Sequence, residues 1–158
     1  MKKALICIAA IIILIFSAFM WLGHSSSSGR ALGLAEGKLQ PCPTNPNCVY
    51  SDTNSDTDGE HYIAALDISN YSASDSMLSI SQIIFELKGQ ISSENDSYIS
   101  ATFTSAVFRF VDDFEVRLDS QQQLIHFRSA SRIGKSDLGV NRKRVAAIKQ
   151  IFLQRQSN

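Results

Sequence analysis

Apolar residues are arranged in three different patterns along this chain, and each pattern predicts a different kind of element. At the N-terminus, an uncharged and almost continuously apolar run extends from Ala4 to Gly23. In Met77–Leu87 and again in Val145–Phe152, apolar residues recur every three or four positions, which predicts two amphipathic helices. Between these helices apolar and polar residues alternate, as in strands that bury one face.

The two amphipathic helices have recognisable boundaries. Asn70, Ser72 or Ser74 can cap the first helix, and Gly89 ends its apolar stripe. The second helix is expected to begin near position 140, with Asn141 as its cap. The stripes that we expect in the core are Met77, Leu78, Ile80, Ile83, Ile84 and Leu87 in the first helix, and Val145, Ile148, Ile151 and Phe152 in the second.

The alternating segments predict an antiparallel sheet. His61 to Leu66 is expected to form its first strand, and Ile99 to Thr104 a later one. Phe114 to Leu118 and Leu124 to Arg128, joined by a turn at Ser120 to Gln123, are expected to form a hairpin. The predicted fold class is therefore α+β, with two helices packed on one face of the antiparallel sheet, preceded by one N-terminal transmembrane helix.

The N-terminal run is long enough to cross a bilayer, because as a helix it would span about 30 Å. Lys2 and Lys3 are expected to stay cytoplasmic, with Trp21 at the far interface. A cleaved signal peptide is the competing interpretation, but its apolar region would be shorter and would end in small residues. We therefore expect an uncleaved signal-anchor over residues 1–23. The location is then the cell membrane, single-pass, with an extracytoplasmic C-terminal domain, which is periplasmic in a two-membrane bacterium.

Composition limits the remainder to one domain. The 158 residues include 15 Lys and Arg and 15 Asp and Glu, a balance that argues against a nucleic-acid partner. The serine-rich stretch after the apolar run predicts a flexible tether over residues 24–38, followed by a domain over residues 39–158. Acidic residues concentrate between Asp52 and Asp75 and basic ones between Arg132 and Arg155, so the two segments can pair or attract a charged partner.

Two cysteines flank a proline-rich turn. Cys42 and Cys48 are expected to form a disulfide if the domain is exported to an oxidising compartment. A zinc site is the alternative, but it lacks a second pair of Cys or His ligands downstream. Cys7 lies inside the apolar run and is expected to act as a small hydrophobic residue.

A second metal alternative is a calcium loop at Asn54 to Gly59, where oxygen-bearing side chains alternate before a glycine. The twelfth position of that loop would be Ala65 rather than the bidentate Glu that calcium requires. An exposed polar loop is the preferred interpretation, and no metal or cofactor is expected.

The candidate binding site is the stretch from Arg128 to Arg144. On a strand, Arg128 and Arg132 project to one surface, while the intervening serines project to the other. The start of the last helix would add free N–H groups nearby, and together these groups are the ingredients of an anion site. The candidate ligand-binding residues are Arg128, Ser129, Ser131, Arg132, Asn141, Arg142, Asp112 and Asp113.

Three alternatives compete with an anion site. In the first, Asp112, Asp113 and Asp137 neutralise the arginines in a structural network. In the second, His126 works with Asp113 or Asp137 in a hydrolase, although the chain has no G-x-S-x-G nucleophile motif. In the third, the protein is a purely structural component of the cell envelope.

Three blocks of sequence carry a resemblance to a known family. The blocks are CPTNPNCVYSD (Cys42 to Asp52), FVDDFEVRLD (Phe110 to Asp119) and RSASRIGKSDLGVNRKR (Arg128 to Arg144). In this order they resemble the domain of unknown function 1499 family, over roughly Leu39 to the C-terminus. The resemblance implies a domain near or beyond a membrane and no assigned reaction. We therefore expect a membrane-anchored extracytoplasmic domain that binds a small anion, a lipid headgroup or an envelope protein.

Overall fold

The computed structural model describes residues 1–53 and 59–157. Within them the chain forms three helices and eight strands. In order these are α1 (Lys2–Ser26), β1 (Leu34–Ala35), β2 (Lys38–Leu39), β3 (Cys48–Tyr50), β4 (Leu66–Asp67), α2 (Ala73–Glu86), β5 (Gln90–Asn95), β6 (Tyr98–Thr104), β7 (Val111–Asp119), β8 (Leu124–Ser131) and α3 (Val140–Gln156). Asn54 to Asp58, on which the calcium alternative depends, lie outside the described residues.

The main sheet is antiparallel, with strand order β3-β8-β7-β6-β5, and β4 also pairs with β8. The predicted hairpin is confirmed, with Val116 opposite Phe127 in β7 and β8. The predicted first strand from His61 to Leu66 is wrong, because only Leu66 in this range belongs to a strand, while Tyr62 forms an isolated bridge to Tyr50 of β3. The strand that pairs alongside is β3, whose three residues are too few for an alternating pattern to be visible in the sequence.

Helices α2 and α3 pack on one face of this sheet, so the α+β prediction is confirmed. Ser72 caps α2, since its Oγ accepts a hydrogen bond from the Asp75 N–H at 3.4 Å. Leu78 is 56% exposed and does not belong to the core as predicted, because it lies about 100° around the helix from Met77. The two helices bury Met77, Ile80, Ile83, Ile84, Val145, Ile148 and Phe152 against the sheet.

The start of α3 differs from the prediction. Gly139 is the N-cap residue, with a left-handed φ of 77°, and the Asp137 carboxylate accepts from the N–H groups of Gly139 at 3.0 Å and Asn141 at 2.6 Å. Asn141 is therefore not the cap, and its side chain is buried between α3 and the sheet. An aspartate two residues before the cap satisfies the N–H groups that were expected to be free.

The N-terminal apolar run forms one continuous helix, α1, which is long and apolar enough to cross a membrane by length and composition. The helix continues to Ser26, three residues beyond the predicted boundary. The predicted tether also contains the β1–β2 hairpin, and Gly33 N–H donates a hydrogen bond to Glu115 of the main sheet. Residues 24–38 are thus bound to the domain rather than separate from it.

The predicted disulfide is confirmed. Cys42 and Cys48 are bonded, with their Cα atoms 5.7 Å apart. Because Cys48 belongs to β3, the bond ties the proline-rich turn to the edge of the sheet beside β8. Asn47, inside that turn, accepts a hydrogen bond from Ser131 N–H at 2.9 Å.

Candidate functional site

The sheet face opposite α2 and α3 carries charged residues that are nevertheless buried. In β7 the odd-numbered residues from 113 to 117 face this side, and so do the even-numbered residues from 126 to 130 in β8, with Arg132 directly after the strand. Three ion pairs cross this face, and we call them the ion-pair row. They are Arg132–Asp113 at 2.8 Å, Arg128–Glu115 at 3.0 Å and Arg117–Asp52 at 2.8 Å.

Glu115 is the centre of the row and has no solvent-exposed surface. Its Oε2 accepts from Arg128 Nη1, while Oε1 accepts from Tyr98 OH at 2.7 Å and Gly33 N–H at 2.8 Å. Burial and the neighbouring Glu115 carboxylate raise the pKa of the Tyr98 hydroxyl. Tyr98 therefore stays protonated and donates to the carboxylate, which satisfies a charge that would otherwise be costly to bury.

Arg132 joins the sheet to the end of α1. Its Nε and Nη2 donate to both carboxylate oxygens of Asp113, at 2.8 to 3.1 Å. Its Nη1 donates to the carbonyl oxygens of Ser26 at 3.1 Å and Ser27 at 3.2 Å. These carbonyls lie at the helix C-terminus, where a cation offsets the negative end of the helix dipole.

The third pair holds the β1–β2 hairpin. Arg117 contacts Asp52 through two nitrogens, Nε at 2.8 Å and Nη2 at 3.1 Å. Asp52 Oδ2 also accepts from Leu39 N–H in β2 at 2.9 Å. Each pair of the row thus binds at least one backbone position of the segment from Ser26 to Leu39, and this segment covers the charged face.

The sheet divides the predicted ligand-binding residues. Ser129, Ser131 and Asn141 meet on the helix side, where Ser129 Oγ donates to Asn141 Oδ1 at 2.6 Å and Asn141 Nδ2 donates to Ser131 Oγ at 3.1 Å. Asp112 lies on this side too, and its carboxylate pairs with Arg144 at 2.7 Å. Arg128, Arg132 and Asp113 belong to the ion-pair row on the opposite face.

Arg142 lies apart from both groups. Its guanidinium donates to the backbone carbonyls of Glu60 at 2.7 Å and Tyr62 at 2.8 Å. The eight predicted residues therefore do not converge on one place, because adjacent strand positions point to opposite faces.

His126 is buried among different partners from those predicted. Its Nδ1 lies 3.1 Å from the carbonyl oxygen of Ser51 and 3.9 Å from Asp52 Oδ1. A carbonyl oxygen only accepts, so Nδ1 carries the proton of the neutral ring. Burial lowers the pKa of His126, which Asp52 raises to a smaller extent. Its Nε2 is buried without a hydrogen-bond partner in the described chain, while Asp113 and Asp137 bind Arg132 and the start of α3.

A polar cavity of about 480 Å³ opens between the last turns of α1 and the end of the sheet. Arg132 forms part of its wall, and Arg109, from the loop between β6 and β7, forms another. Within the described residues, Arg109 makes no hydrogen bond or ion pair. Polar groups on the wall also include His24, Ser27, Gln90, Thr102 and Thr104. The cavity thus has a cation available for a ligand.

A second cavity, of about 320 Å³, lies beside another side of α1 and is mostly apolar. Phe19 and Leu22 of α1 face Phe110, Ile133 and Val140 across it. The end of α1 therefore has a polar cavity and an apolar cavity beside it. Both cavities are bordered by residues from the β6–β7 loop and from the segment around Arg132 to Val140.

Sequence reasoning missed Arg109, Glu115, Arg117 and Asp52 as parts of this region. A signal was present in β7, where Asp113, Glu115 and Arg117 share one face, with Arg128 of β8 opposite Glu115 and Arg132 directly after β8. Alternating charges of opposite sign on neighbouring strands predict cross-strand pairs. Nothing comparable marks Arg109, because its position depends on the packing of a loop against α1.

Metal binding has no geometric support in the part of the chain that is described. Across residues 1–53 and 59–157, no three His, Cys, Asp or Glu side chains are grouped in a way that could hold a metal ion.

Comparison with known proteins places the chain in a family without assigning a reaction. No curated protein matches the sequence. Residues 38–152 match the family described as "Protein of unknown function (DUF1499)", a range that includes the ion-pair row, the Arg109 loop and α3 up to Phe152. This match covers most of the chain, and the protein therefore belongs to the DUF1499 family.

Proposed function

We propose that this protein is a membrane-anchored, extracytoplasmic domain that binds the headgroup of an anionic phospholipid in the polar cavity beside α1. The observation that carries the proposal is Arg109, whose guanidinium has no partner among the described residues and lies on the wall of a cavity of about 480 Å³. Phosphate is a strong partner for arginine, because the planar guanidinium can donate two hydrogen bonds to it.

The other wall groups suit the same ligand. Thr102, Thr104 and Ser27 supply hydroxyls that can donate to phosphate oxygens or bind a glycerol headgroup. The described walls of this cavity contain no Asp or Glu. Arg132 is already neutralised by Asp113 and holds the end of α1, so its role is to shape the cavity and Arg109 is the ligand's cation.

The position of the cavity favours a lipid over a free anion. The cavity borders Met20 and His24, where the apolar run of α1 gives way to polar residues. If α1 spans the bilayer, this is the level of the headgroups. The neighbouring cavity lined by Phe19 and Phe110 would then accept part of an acyl chain.

Two features support the proposed anchoring and sidedness. Lys2 and Lys3 precede the apolar run, and paired basic residues favour the cytoplasmic side. The Cys42–Cys48 disulfide is typical of domains outside the reducing cytosol.

Native mass spectrometry of the full chain, released from nanodiscs that contain equal amounts of phosphatidylglycerol and phosphatidylcholine, tests the headgroup site. We expect phosphatidylglycerol to remain bound to the wild-type protein. In Arg109→Gln the retained phosphatidylglycerol should fall by about tenfold, which corresponds to a loss of about 1.4 kcal/mol, close to the lower end of the range for a charged hydrogen bond.

Arg30→Gln is the matched control, since Arg30 is also exposed near the end of α1 but does not line the cavity. If both variants lose the lipid equally, the attraction is a general surface charge effect and the site is refuted. Retention by Arg109→Gln at the wild-type level refutes it as well. Titration with inorganic phosphate distinguishes a lipid headgroup site from a free-anion site. A free-anion site would bind phosphate without lipid and would lose this binding in Arg109→Gln.

A further inference from the structure

The loop that joins β6 to β7, Ser105 to Phe110, packs against α1 well before the helix ends. The Phe108 ring lies 5.1 Å from the Phe19 ring and 5.5 Å from the Phe16 ring, centroid to centroid. Phe110 lies 6.4 Å from Phe19. The loop therefore contacts the apolar run of α1 itself and not only the polar residues that follow it.

These contacts set the depth of the loop if α1 crosses a bilayer. A hydrocarbon layer needs about 20 helical residues, which is the length of the run from Ala4 to Gly23. With Gly23 at the outer boundary, Phe19 lies about 6 Å and Phe16 about 10 Å below it, at about 1.5 Å per residue. Since the Phe108 ring touches both, it must lie in the same layer.

The surface chemistry of the loop fits that depth. Val107, at its tip, is 62% exposed although it is apolar. The two ends of the loop are hydrogen-bonded to each other. Ser105 N–H donates to Phe110 O at 2.8 Å, and Phe110 N–H donates to Ser105 Oγ at 2.9 Å. Closing backbone groups in this way lowers the cost of placing a turn in an apolar medium.

The segment that leads into α3 has the same character. Leu138 is 87% exposed and Val140 is 46% exposed, and both belong to the segment that borders the apolar cavity with Phe19 and Leu22. Isolated exposed apolar residues are common on protein surfaces. Here they lie on the β6–β7 loop and at the start of α3, where Val140 lines the apolar cavity together with Phe19 and Leu22 of α1.

We infer that the domain is partly embedded: the β6–β7 loop, with Val107 and Phe108 at its tip, inserts into the outer leaflet beside α1. The partner of this surface is the hydrocarbon of the same bilayer. Arg109, directly after Phe108, then extends its guanidinium up to the phosphate level, as arginine side chains do at membrane interfaces. The inference rests on the proposed anchoring of α1 but not on the proposed headgroup site.

Spin labels measure the depth directly. The full chain carries Cys7→Ala, so that labels attach only to an introduced cysteine while Cys42–Cys48 stays oxidised. Labels are placed at Val107→Cys, at Ile11→Cys inside α1, and at Asp96→Cys in the turn between β5 and β6. The last position is the matched control, because it lies on an exposed hairpin at the opposite end of β6. Collision with oxygen reports hydrocarbon, and collision with a water-soluble nickel chelate reports solvent.

In phospholipid vesicles we expect the label at 107 to resemble the label at 11, with high oxygen access and a severalfold loss of nickel access relative to position 96. A label at 107 as accessible to nickel as the one at 96, with position 11 protected, would overturn insertion and leave anchoring intact. Nickel access at position 11 as well would overturn the anchoring and the insertion together. Val107 is exposed, so its replacement does not disturb the packing of the domain.

Discussion

A β-carbon added to Gly23 would lie 1.6 Å from the carbonyl oxygen of Phe108, so α1 approaches the β6–β7 loop at a distance that only glycine permits. Three residues later, Ser26 Oγ accepts a hydrogen bond from Val111 N–H at 2.9 Å, and its own hydroxyl is buried. The last turn of α1 is therefore a fitted part of the domain surface. It brings the two cavities together and places Phe108 beside the apolar part of the helix.

Gly23→Ala should displace the end of α1, because the obstructing atom belongs to the backbone and cannot rotate away. Overpacking of this kind costs about 1–3 kcal/mol. Hydrogen exchange of the full chain in detergent should report lost protection of the Val111 amide. Ser25→Ala, on the same turn but outside this contact, is the control. Wild-type protection of Val111 in Gly23→Ala would contradict the close packing.

Glu115→Gln should destabilise the protein strongly, since it leaves the Arg128 guanidinium buried without its carboxylate. Breaking a buried ion pair from one side costs about 3–5 kcal/mol. Chemical denaturation of the full chain in detergent measures the loss. Adding Arg128→Met to Glu115→Gln removes the unpaired charge and should recover part of the stability. If the double variant were as unstable as the sum of its two single variants, Glu115 and Arg128 would not be coupled.

Stability should decrease as the pH falls below the ordinary pKa of histidine, about 6.5, because of His126. Burial lowers the pKa of this ring in the folded protein, so the unfolded chain binds a proton first. The stabilisation of the folded state that comes from keeping His126 neutral is fully present above pH about 6.5 and is lost as the pH falls toward the folded-state pKa. Chemical denaturation at pH 7.5 and at pH 5.5 measures this loss as a difference in the free energy of unfolding. In His126→Asn the difference between the two pH values should be smaller. An equal difference in His126→Asn would assign the effect to other groups.

Reducing the Cys42–Cys48 disulfide should lower the free energy of unfolding by about 2 kcal/mol, the value for a short closed loop. Because Asn47 lies next to Cys48 and its carbonyl accepts from Asn141 Nδ2 at 2.9 Å, the edge of the sheet beside α3 should loosen first. Comparing Cys42→Ser with Cys7→Ala by denaturation without reductant checks this. Equal stability of the two variants would show that the bond contributes nothing.

Local patterns were sufficient for the helix side of the fold. The stripe in α2, the cap at Ser72 and the pairing of β7 with β8 all depend on residues close in sequence. Strand β3 was missed, because three residues after a proline-rich turn become a strand only through their pairing with β8. The sequence offers Asp137 as a partner of the arginines or of His126, but its carboxylate accepts a hydrogen bond from the Asn141 N–H at the start of α3.

The candidate site was predicted less well than the fold. Arg128 and Arg132 were expected to share a surface, and they do, yet that surface is covered. Strand alternation states which side chains share a face but not whether water reaches it. A sheet face that carries charged residues is therefore predicted to be exposed to solvent unless the segment that covers it is known.

The sequence by itself determined the apolar run of α1, the two amphipathic helices, the alternation in β7 and β8, the cysteine pair and the family. Each of these features can be predicted from a periodicity or motif among residues that are close in sequence. Tertiary structure alone decided that the segment from Ser26 to Leu39 closes over the ion-pair row, through contacts such as Gly33 with Glu115 across 82 positions. It also decided that Arg109 lies in a cavity beside α1 with no partner within residues 1–53 and 59–157. The reason is physical: long-range contacts depend on which surfaces meet when the chain packs, and no local pattern carries that information.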